Sequence, residues 1–122
     1  MIRGVGLDLC GIERISRFIE KERFLERVYT ARERERIRSA SDVRRGEIAA
    51  GLFAAKEAVA KALGKGFDGF GPADIEIIPD EKGRPTCVLY HRAAELANGG
   101  HMWVSITHEN GMAAATAIWE ED

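Results

Sequence analysis

The chain has 122 residues, of which 45% are apolar and 31% charged, with a formal net charge of −2. This length supports one domain with one core, but it is short for an enzyme that must enclose a large ligand alone, so we expect a second subunit to complete such a site. The sequence contains no apolar run of 18 residues and does not start like a secretory signal. We therefore expect a cytoplasmic protein that has no membrane partner.

The cysteines and the charge distribution narrow the possible partners. Cys10 and Cys87 show neither zinc nor redox spacing, and we interpret both as packing residues in a reducing compartment. Residues 13–47 hold eleven Lys or Arg against eight Asp or Glu. Such a surface fits an acidic protein or a phosphate-rich ligand. Because the two signs are interleaved and aromatic residues are few, we do not expect nucleic acid to bind.

The N-terminal part predicts a strand followed by helix. Residues 2–10 alternate well enough for a short strand, and Asp8 lies near its end, where it could be a helix cap, an ion-pair partner, a metal ligand or a catalytic group. Apolar residues at helical spacing over 12–28 predict one helix or two short ones. Arg14, Arg17 and Lys21 then form a stripe. It is either a solvated face or a docking face for an acidic helix.

The centre of the sequence predicts two more helices. Thr30 is an N-cap candidate for residues 31–39, with Glu33 completing a capping box. The strongest helix signal covers 53–66 and extends back to about Arg45 or Glu47.

On this last helix, one predicted core stripe faces away from a charged pair. Glu57 lies nearly opposite the stripe, with Lys61 beside it at i, i+4. The pair is either solvated or lines a cleft, because its flank is small and partly apolar. The stripe consists of Ile48, Leu52, Ala55, Val59 and Leu63.

The C-terminal half predicts strands. A turn-rich loop is expected at 67–72, strands at 74–79, 86–90, 103–108 and 113–119, and a short helix at 93–97. The Asn110-Gly111 pair is a strong hairpin signal between the last two strands. Together these elements predict an α+β fold with an antiparallel sheet and helices packed on one face, in one domain spanning 1–122.

Several separated segments resemble one known family in the same order, and the resemblance covers most of the chain. It is similar to the 4′-phosphopantetheinyl transferase family, of the holo-acyl-carrier-protein synthase type. The matching segments are Gly6-Leu7-Asp8 with Arg14, residues 24–30, Phe53-Ala54-Ala55-Lys56-Glu57-Ala58 with Lys61 and Gly64, residues 74–77, Gly83-Arg84-Pro85, and Ser105-Ile106-Thr107-His108.

The resemblance implies a reaction and a metal. Coenzyme A would donate its phosphopantetheine arm to a serine of an apo acyl carrier protein, leaving adenosine 3′,5′-bisphosphate. Asp8 and Glu57 would hold Mg²⁺, which prefers hard oxygen ligands, and Lys61 would contact the phosphates. Either Glu57 or a metal-bound water would take the serine proton. Lys56, about 100° from Glu57 around the helix, would support the site or the fold.

The resemblance also implies a nucleotide site and an assembly. Gly64, Lys65 and His108 would bind the coenzyme A donor. The family usually has Arg where this chain has Leu52, so a phosphate contact is missing, and Arg45, Lys65 and Arg44 are candidates to replace it. The expected assembly is a homotrimer with a site at each subunit boundary.

The remaining polar residues and two other classes of function were also considered. Ser105 has no assignable acid-base partner and is not expected to be a nucleophile, and His91 and His101 receive no role. Arg14, Arg17 and Lys21 would face the acidic helix of the carrier. The alternatives to an enzyme are a coenzyme A binding module without turnover, supported by Leu52 alone, and an interaction domain with a basic helix.

Overall fold

The computed structural model describes residues 1–64 and 66–122. Along the chain the elements are β1 (Ile2–Gly11), α1 (Ile12–Phe18), α2 (Glu22–Val28), α3 (Ala31–Arg38), α4 (Asp42–Ala62), a short 3-10 turn (Pro72–Asp74), β2 (Ile75–Pro79), β3 (Pro85–Leu89), α5 (His91–Ala97), β4 (His101–Glu109) and β5 (Met112–Glu120).

The strands form two antiparallel units. The larger sheet has the order β1-β5-β4, and β2 pairs with β3 in a separate hairpin. Helix α4 packs across one face of the larger sheet, in contact with all three strands. The predicted α+β fold, with an antiparallel sheet and helices on one face, is confirmed.

Two glycines let β1 lie directly against the backbone of α4. A methyl group at Gly6 would be 1.8 Å from the Ala58 carbonyl oxygen, and one at Gly4 would be 1.8 Å from that of Ala62. No side chain fits in either place. Because side chains alternate along a strand, the Asp8 side chain lies on the same face as these glycines and points toward the helix.

Helix α4 differs from the prediction in its start and in its buried surface. It begins at Asp42 rather than near Arg45 or Glu47. In the predicted stripe, Ile48 is half-buried and the residues from Leu52 onward are buried. The alanines on the other faces of the helix, including Ala54 and Ala58, are buried as well. The reason is that alanine lets a strand approach closely, so the sheet packs on a face that the pattern of large apolar residues does not mark.

The first helical region is two helices rather than one. Helix α1 ends at Phe18 and α2 begins at Glu22, with Lys21 as its N-cap. Before α3, the Thr30 side chain accepts a bond from the Glu33 N–H and the Glu33 carboxylate accepts one from the Thr30 N–H, which confirms the predicted capping box.

The second face of the larger sheet exposes a row of apolar side chains along β1. Val5, Leu7 and Leu9 of β1 point away from α4 and are between 61% and 66% exposed. Through the strand register, Val5 shares this outer face with Ile118 and with the half-exposed Trp103. Exposed apolar side chains clustered in this way are typical of an interaction surface.

Among the described residues, no helix combines the length and the apolarity that crossing a bilayer requires.

Candidate active site

Asp8, Glu57 and Lys61 come together where β1 crosses the C-terminal half of α4, and we call these three residues the carboxylate centre. The Lys61 Nζ lies 3.2 Å from Asp8 Oδ1 and donates a second bond to the Leu7 carbonyl at 2.9 Å. Glu57 is half-buried and precedes Lys61 by one helical turn, so the two side chains share a flank of α4. The sequence placed these residues on two separate elements, and the fold unites them.

The charges of this centre favour a cation. Burial raises the pKa of Glu57, the negative charge of Asp8 raises it further, and Lys61 acts in the opposite direction. Two carboxylates that repel each other gain when a cation binds between them. Among the described residues, no group of three or more His, Cys, Asp or Glu could hold a metal. The donor set nevertheless fits Mg²⁺, which usually takes one or two carboxylates together with waters and substrate phosphates.

A separate cavity of about 190 Å³ lies beside the N-terminal half of α4. Its charged lining includes Arg36 of α3, Arg44 of α4 and His108 at the end of β4, and we call it the arginine cavity. Glu47 lies near two of these side chains. Its Oε1 is 3.5 Å from Arg44 Nε, and its Oε2 is 3.8 Å from His108 Nδ1. The other lining residues are Ile48, Gly51, Leu52, Pro79, Gly83, Pro85 and Ile106.

The predicted donor-binding residues divide between several places. His108 lines the arginine cavity, and Arg44 does so rather than Arg45. The Arg45 guanidinium instead bonds the carbonyls of Ala40 and Arg38 and pairs with Asp42.

Gly64 and Lys65 are the other two predicted donor-binding residues. The sequence predicts a left-handed residue at Gly64, and the structure gives it a φ of 86°, with its N–H bonded to the Lys61 carbonyl. Lys65 lies outside the described residues. Leu52 lines the arginine cavity, so the departure from the family pattern falls at this cavity.

Arg36 is a cavity residue that the sequence did not indicate. It belongs to a segment in which Arg32, Arg34, Arg36 and Arg38 alternate with other residues. Nothing in that spacing distinguishes the one arginine that reaches the cavity, because the direction depends on how α3 packs against α4.

The carboxylate centre and the arginine cavity lie at opposite edges of the sheet. Asp8 belongs to the edge strand β1 and His108 to the edge strand β4, with β5 between them. The His108 side chain shares its face with Ile106, whose side chain lies against Gly51 of α4. Helix α4 therefore passes between the two sites, and the described lining of the cavity contains no residue of the carboxylate centre.

A third surface lies on α1 and α2. The Arg14 guanidinium carbon is 5.9 Å from the centre of the Phe18 ring, and Arg17 pairs with Glu13 at 3.5 Å. The ring centres of Phe18 and Phe24 are 5.2 Å apart, and those of Phe24 and Phe53 are 6.2 Å apart. Phe53 lies one helical turn before Glu57. The expected three-residue stripe is reduced to Arg14 and Arg17 on α1, because Lys21 follows the end of that helix.

The comparisons with known proteins agree with this fold. The family model of the 4′-phosphopantetheinyl transferase superfamily matches residues 4–117. A holo-[acyl-carrier-protein] synthase of Clostridium kluyveri is 45% identical, over all of this chain and 92% of that relative.

Two solved structures are also similar. A holo-(acyl-carrier-protein) synthase of Bacillus anthracis in complex with CoA (3′,5′-ADP) has a TM-score of 0.87 at 32% identity, covering 100% of this chain and 99% of that one. A Helicobacter pylori holo-[acyl-carrier-protein] synthase in complex with coenzyme A has a TM-score of 0.81 at 30% identity, covering 93% and 96%.

The chain belongs to the 4′-phosphopantetheinyl transferase superfamily. Within it, the predicted resemblance to the holo-acyl-carrier-protein synthase type is confirmed.

Proposed function

We propose that this enzyme transfers the 4′-phosphopantetheine arm of coenzyme A to a serine of an apo acyl carrier protein, at a magnesium site that two subunits complete. The serine oxygen forms a bond to the phosphorus that carries the pantetheine arm. The bond from that phosphorus to the bridging oxygen breaks, and adenosine 3′,5′-bisphosphate leaves. The serine proton passes to Glu57 or to a water beside it.

The observation that carries this proposal is the carboxylate centre. Two carboxylates and one ammonium group lie close together at the edge of the sheet, and burial together with the Asp8 charge raises the pKa of Glu57. Asp8 and Glu57 would hold Mg²⁺, which when bound neutralises charge on the pyrophosphate. Lys61, about half-exposed and fixed by Asp8 and the Leu7 carbonyl, is positioned to bind a phosphate oxygen of the same group.

The arginine cavity suits the other end of the donor. Arg36 and Arg44 supply cationic hydrogen-bond donors, and guanidinium groups match phosphate oxygens in geometry. His108 adds an imidazole at the cavity edge, and the apolar walls from Leu52, Pro79 and Pro85 can cover a purine ring. The relatives of known structure that bind coenzyme A support this use of the fold.

The separation of the two sites supports a shared active site. Helix α4 lies between the carboxylate centre and the arginine cavity of one subunit, so one donor molecule cannot contact both. The carboxylate centre of one subunit would instead lie beside the arginine cavity of the next subunit, and the donor would bind between them. The uncovered outer face of the sheet, with Val5, Leu7 and Leu9, offers the apolar surface for such an assembly. We propose a homotrimer, a closed ring with one active site at each boundary.

A complementation experiment tests the shared site. Asp8→Ala is coexpressed with the double variant Arg44→Ala/His108→Ala, so that mixed oligomers contain boundaries with both intact halves. We expect transfer activity to reappear well above that of either variant alone. The matched control mixes Asp8→Ala with Glu57→Ala, which damage the same half, and should show no recovery. Equal results for the two mixtures, or a fully active monomer by light scattering, would contradict the proposal.

The carrier protein would dock beside the carboxylate centre. Arg14 and Arg17 provide positive charge on α1, and the rings of Phe18, Phe24 and Phe53 provide an apolar surface that leads toward Glu57. An acidic helix next to the modified serine matches this arrangement. The free cysteines Cys10 and Cys87 agree with a reducing compartment, and we place the reaction in the cytoplasm.

The reaction itself is tested by mass spectrometry. Protein, coenzyme A and Mg²⁺ are incubated with several apo carrier proteins, and we expect each accepted carrier to gain one phosphopantetheine group on serine. No gain with any carrier would leave a binding module without turnover as the better description.

A further inference from the structure

Lys56 precedes Glu57 in the chain but points in another direction, into the core. Its side chain is only 1% exposed. The ammonium group pairs with Glu33 Oε1 at 2.7 Å, donates to the Pro72 carbonyl at 2.9 Å and donates to the Ile75 carbonyl. The three donors of an ammonium group are thereby used.

The partner carboxylate connects further elements. Glu33 Oε1 also accepts the Thr30 N–H at 2.8 Å, and Glu33 Oε2 accepts the Ile77 N–H of β2 at 2.8 Å. One lysine of α4 therefore holds the start of α3 and the start of β2. It also holds the 3-10 turn, because Pro72 opens this turn and Ile75 follows it.

These contacts fix the far end of the segment that leaves the carboxylate centre. Residues 66–71 lie between the Lys61 end of α4 and Pro72, and we call them the return loop. Phe70 is buried, and its ring centre lies 5.6 Å from that of Phe67 in an edge-on arrangement. The return loop is therefore packed before it reaches Pro72, whose carbonyl Lys56 binds.

We propose that Lys56 is a positioning residue for the transfer reaction. Its bonds to the Pro72 and Ile75 carbonyls hold the return loop, which follows the Lys61 end of α4, beside the carboxylate centre that would bind the pyrophosphate of the coenzyme A donor. This inference rests on the proposed function. Lys56 does not touch the reacting atoms. It acts through the loop, so its loss changes the fit of the donor and leaves the carrier surface on α1 intact.

The test separates the carbonyl bonds from the ion pair. Lys56→Met alone leaves a buried, unpaired Glu33, which endangers the fold. The double variant Lys56→Met/Glu33→Gln removes both charges, and neutral replacement of a whole buried pair is commonly tolerated. Glu33→Gln alone keeps the lysine and its carbonyl bonds. Tyr29→Phe is the matched control, because it removes another buried bond to α4, from the Tyr29 hydroxyl to the Ala49 carbonyl at 2.8 Å, and keeps the ring whose centre lies 6.0 Å from Lys56 Nζ.

We expect the double variant to fold, with amides of 66–75 exchanging at least about tenfold faster than in wild type, since their anchor is lost. The Kd for coenzyme A by calorimetry and the KM for coenzyme A should both rise about tenfold, as a shift of the loop misplaces the donor. The KM for the carrier should stay within about twofold. Tyr29→Phe should stay near wild type in all of these measurements. Glu33→Gln leaves Lys56 without its partner charge and lowers stability, but its exchange at 66–75 and its affinity for coenzyme A should stay near wild type, because the carbonyl bonds remain.

Two results would overturn the proposal. One is a folded double variant with wild-type exchange at 66–75 or wild-type affinity for coenzyme A. The other is an equal loss of affinity in Tyr29→Phe, which would mean that any destabilisation of α4 has this effect. A wild-type protein that binds coenzyme A but transfers nothing would refute the proposed function alone, because the exchange and calorimetric measurements do not need turnover.

Discussion

Two lysines of the same helix, five positions apart, have opposite surroundings. Lys56 and its partner Glu33 are both 1% exposed, and every donor of the ammonium group bonds to protein. Lys61 is 53% exposed and its partner Asp8 18%, and one side of this pair opens to solvent. The buried pair has no room for a ligand, whereas the open pair lies where a phosphate can reach it.

The difference shows that an ion pair on this helix acquires its role from what surrounds it. A buried pair is costly to break because its partner charge stays behind without water. An exposed pair contributes little to stability, so it can be rearranged when a ligand arrives. We therefore expect the buried pair to contribute mainly to the stability of the fold and the open pair mainly to the transfer reaction.

The largest effect is expected at the carboxylate centre. If both carboxylates serve a ligand rather than the core, as we propose, Asp8→Ala or Glu57→Ala should reduce transfer below detection and leave the fold intact. Mass spectrometry of the carrier measures transfer, and calorimetric melting measures the fold. A near-normal rate in either variant at limiting Mg²⁺ would contradict the metal assignment.

The two lysines should respond oppositely to the same substitution. Lys56→Met should lower the free energy of unfolding by about 3–5 kcal/mol, because it leaves Glu33 buried and unpaired. Lys61→Met should change it by about 1 kcal/mol or less, since that pair is half-exposed. The rate should fall about 100-fold in Lys61→Met, because the proposed contact of the ammonium group with the donor phosphates is lost. Denaturant titration measures the free energy of unfolding, and initial rates measure transfer. A larger loss of stability in Lys61→Met than in Lys56→Met would contradict this assignment.

A smaller effect is expected at the open surface of α1. Arg14→Glu with Arg17→Glu should raise the KM for the carrier about tenfold, with the KM for coenzyme A unchanged, because charge at an interface rim mainly steers encounter. The salt dependence should flatten, since these charges are screened over about 8 Å. Arg92→Glu on α5 is the matched control. If the control behaves like the double variant, net charge rather than this surface is responsible.

The smallest effect concerns Asp74, the last residue of the turn that Lys56 holds. Burial alone would raise the pKa of Asp74, but the Gly71 N–H and His91 outweigh it and hold the pKa below its usual value. A carboxyl with a lowered folded-state pKa stabilises the protein above its unfolded-state pKa of about 3.9, and this contribution is lost as the pH falls through the folded-state value. Asp74→Asn should therefore cost about 1 kcal/mol at pH 7. The difference from wild type should disappear in acid, as denaturant titrations at several pH values would show.

Much of the fold was predictable because its signals are local. Thr30 and Glu33 form the capping box that their spacing indicated, and the Asn-Gly turn joins β4 and β5. The predicted start of α4 was at least three residues too late, because residues 42–44 show no apolar periodicity that would indicate a helix. The burial of Lys56 was not assigned either, since it depends on carbonyl groups of the turn and β2, far along the chain.

The candidate site was predictable only in part. The three residues of the carboxylate centre have strong sequence signals and do meet in the structure. The contribution of Arg36 and the choice of Arg44 over Arg45 depend on the rotation of α3 and α4 against the hairpin. The separation of the two sites follows from the strand order β1-β5-β4, which the element sequence left open.

The two glycines of β1 have a consequence for mutational tolerance. The spacing between Asp8 and Glu57 is set by a strand backbone that touches a helix backbone at Gly4 and Gly6. Even one added carbon at Gly6 has to push the strand outward and carry Asp8 with it. In a saturation library selected for transfer, position 6 should therefore accept as few substitutions as position 8, although its residue has no functional group at all.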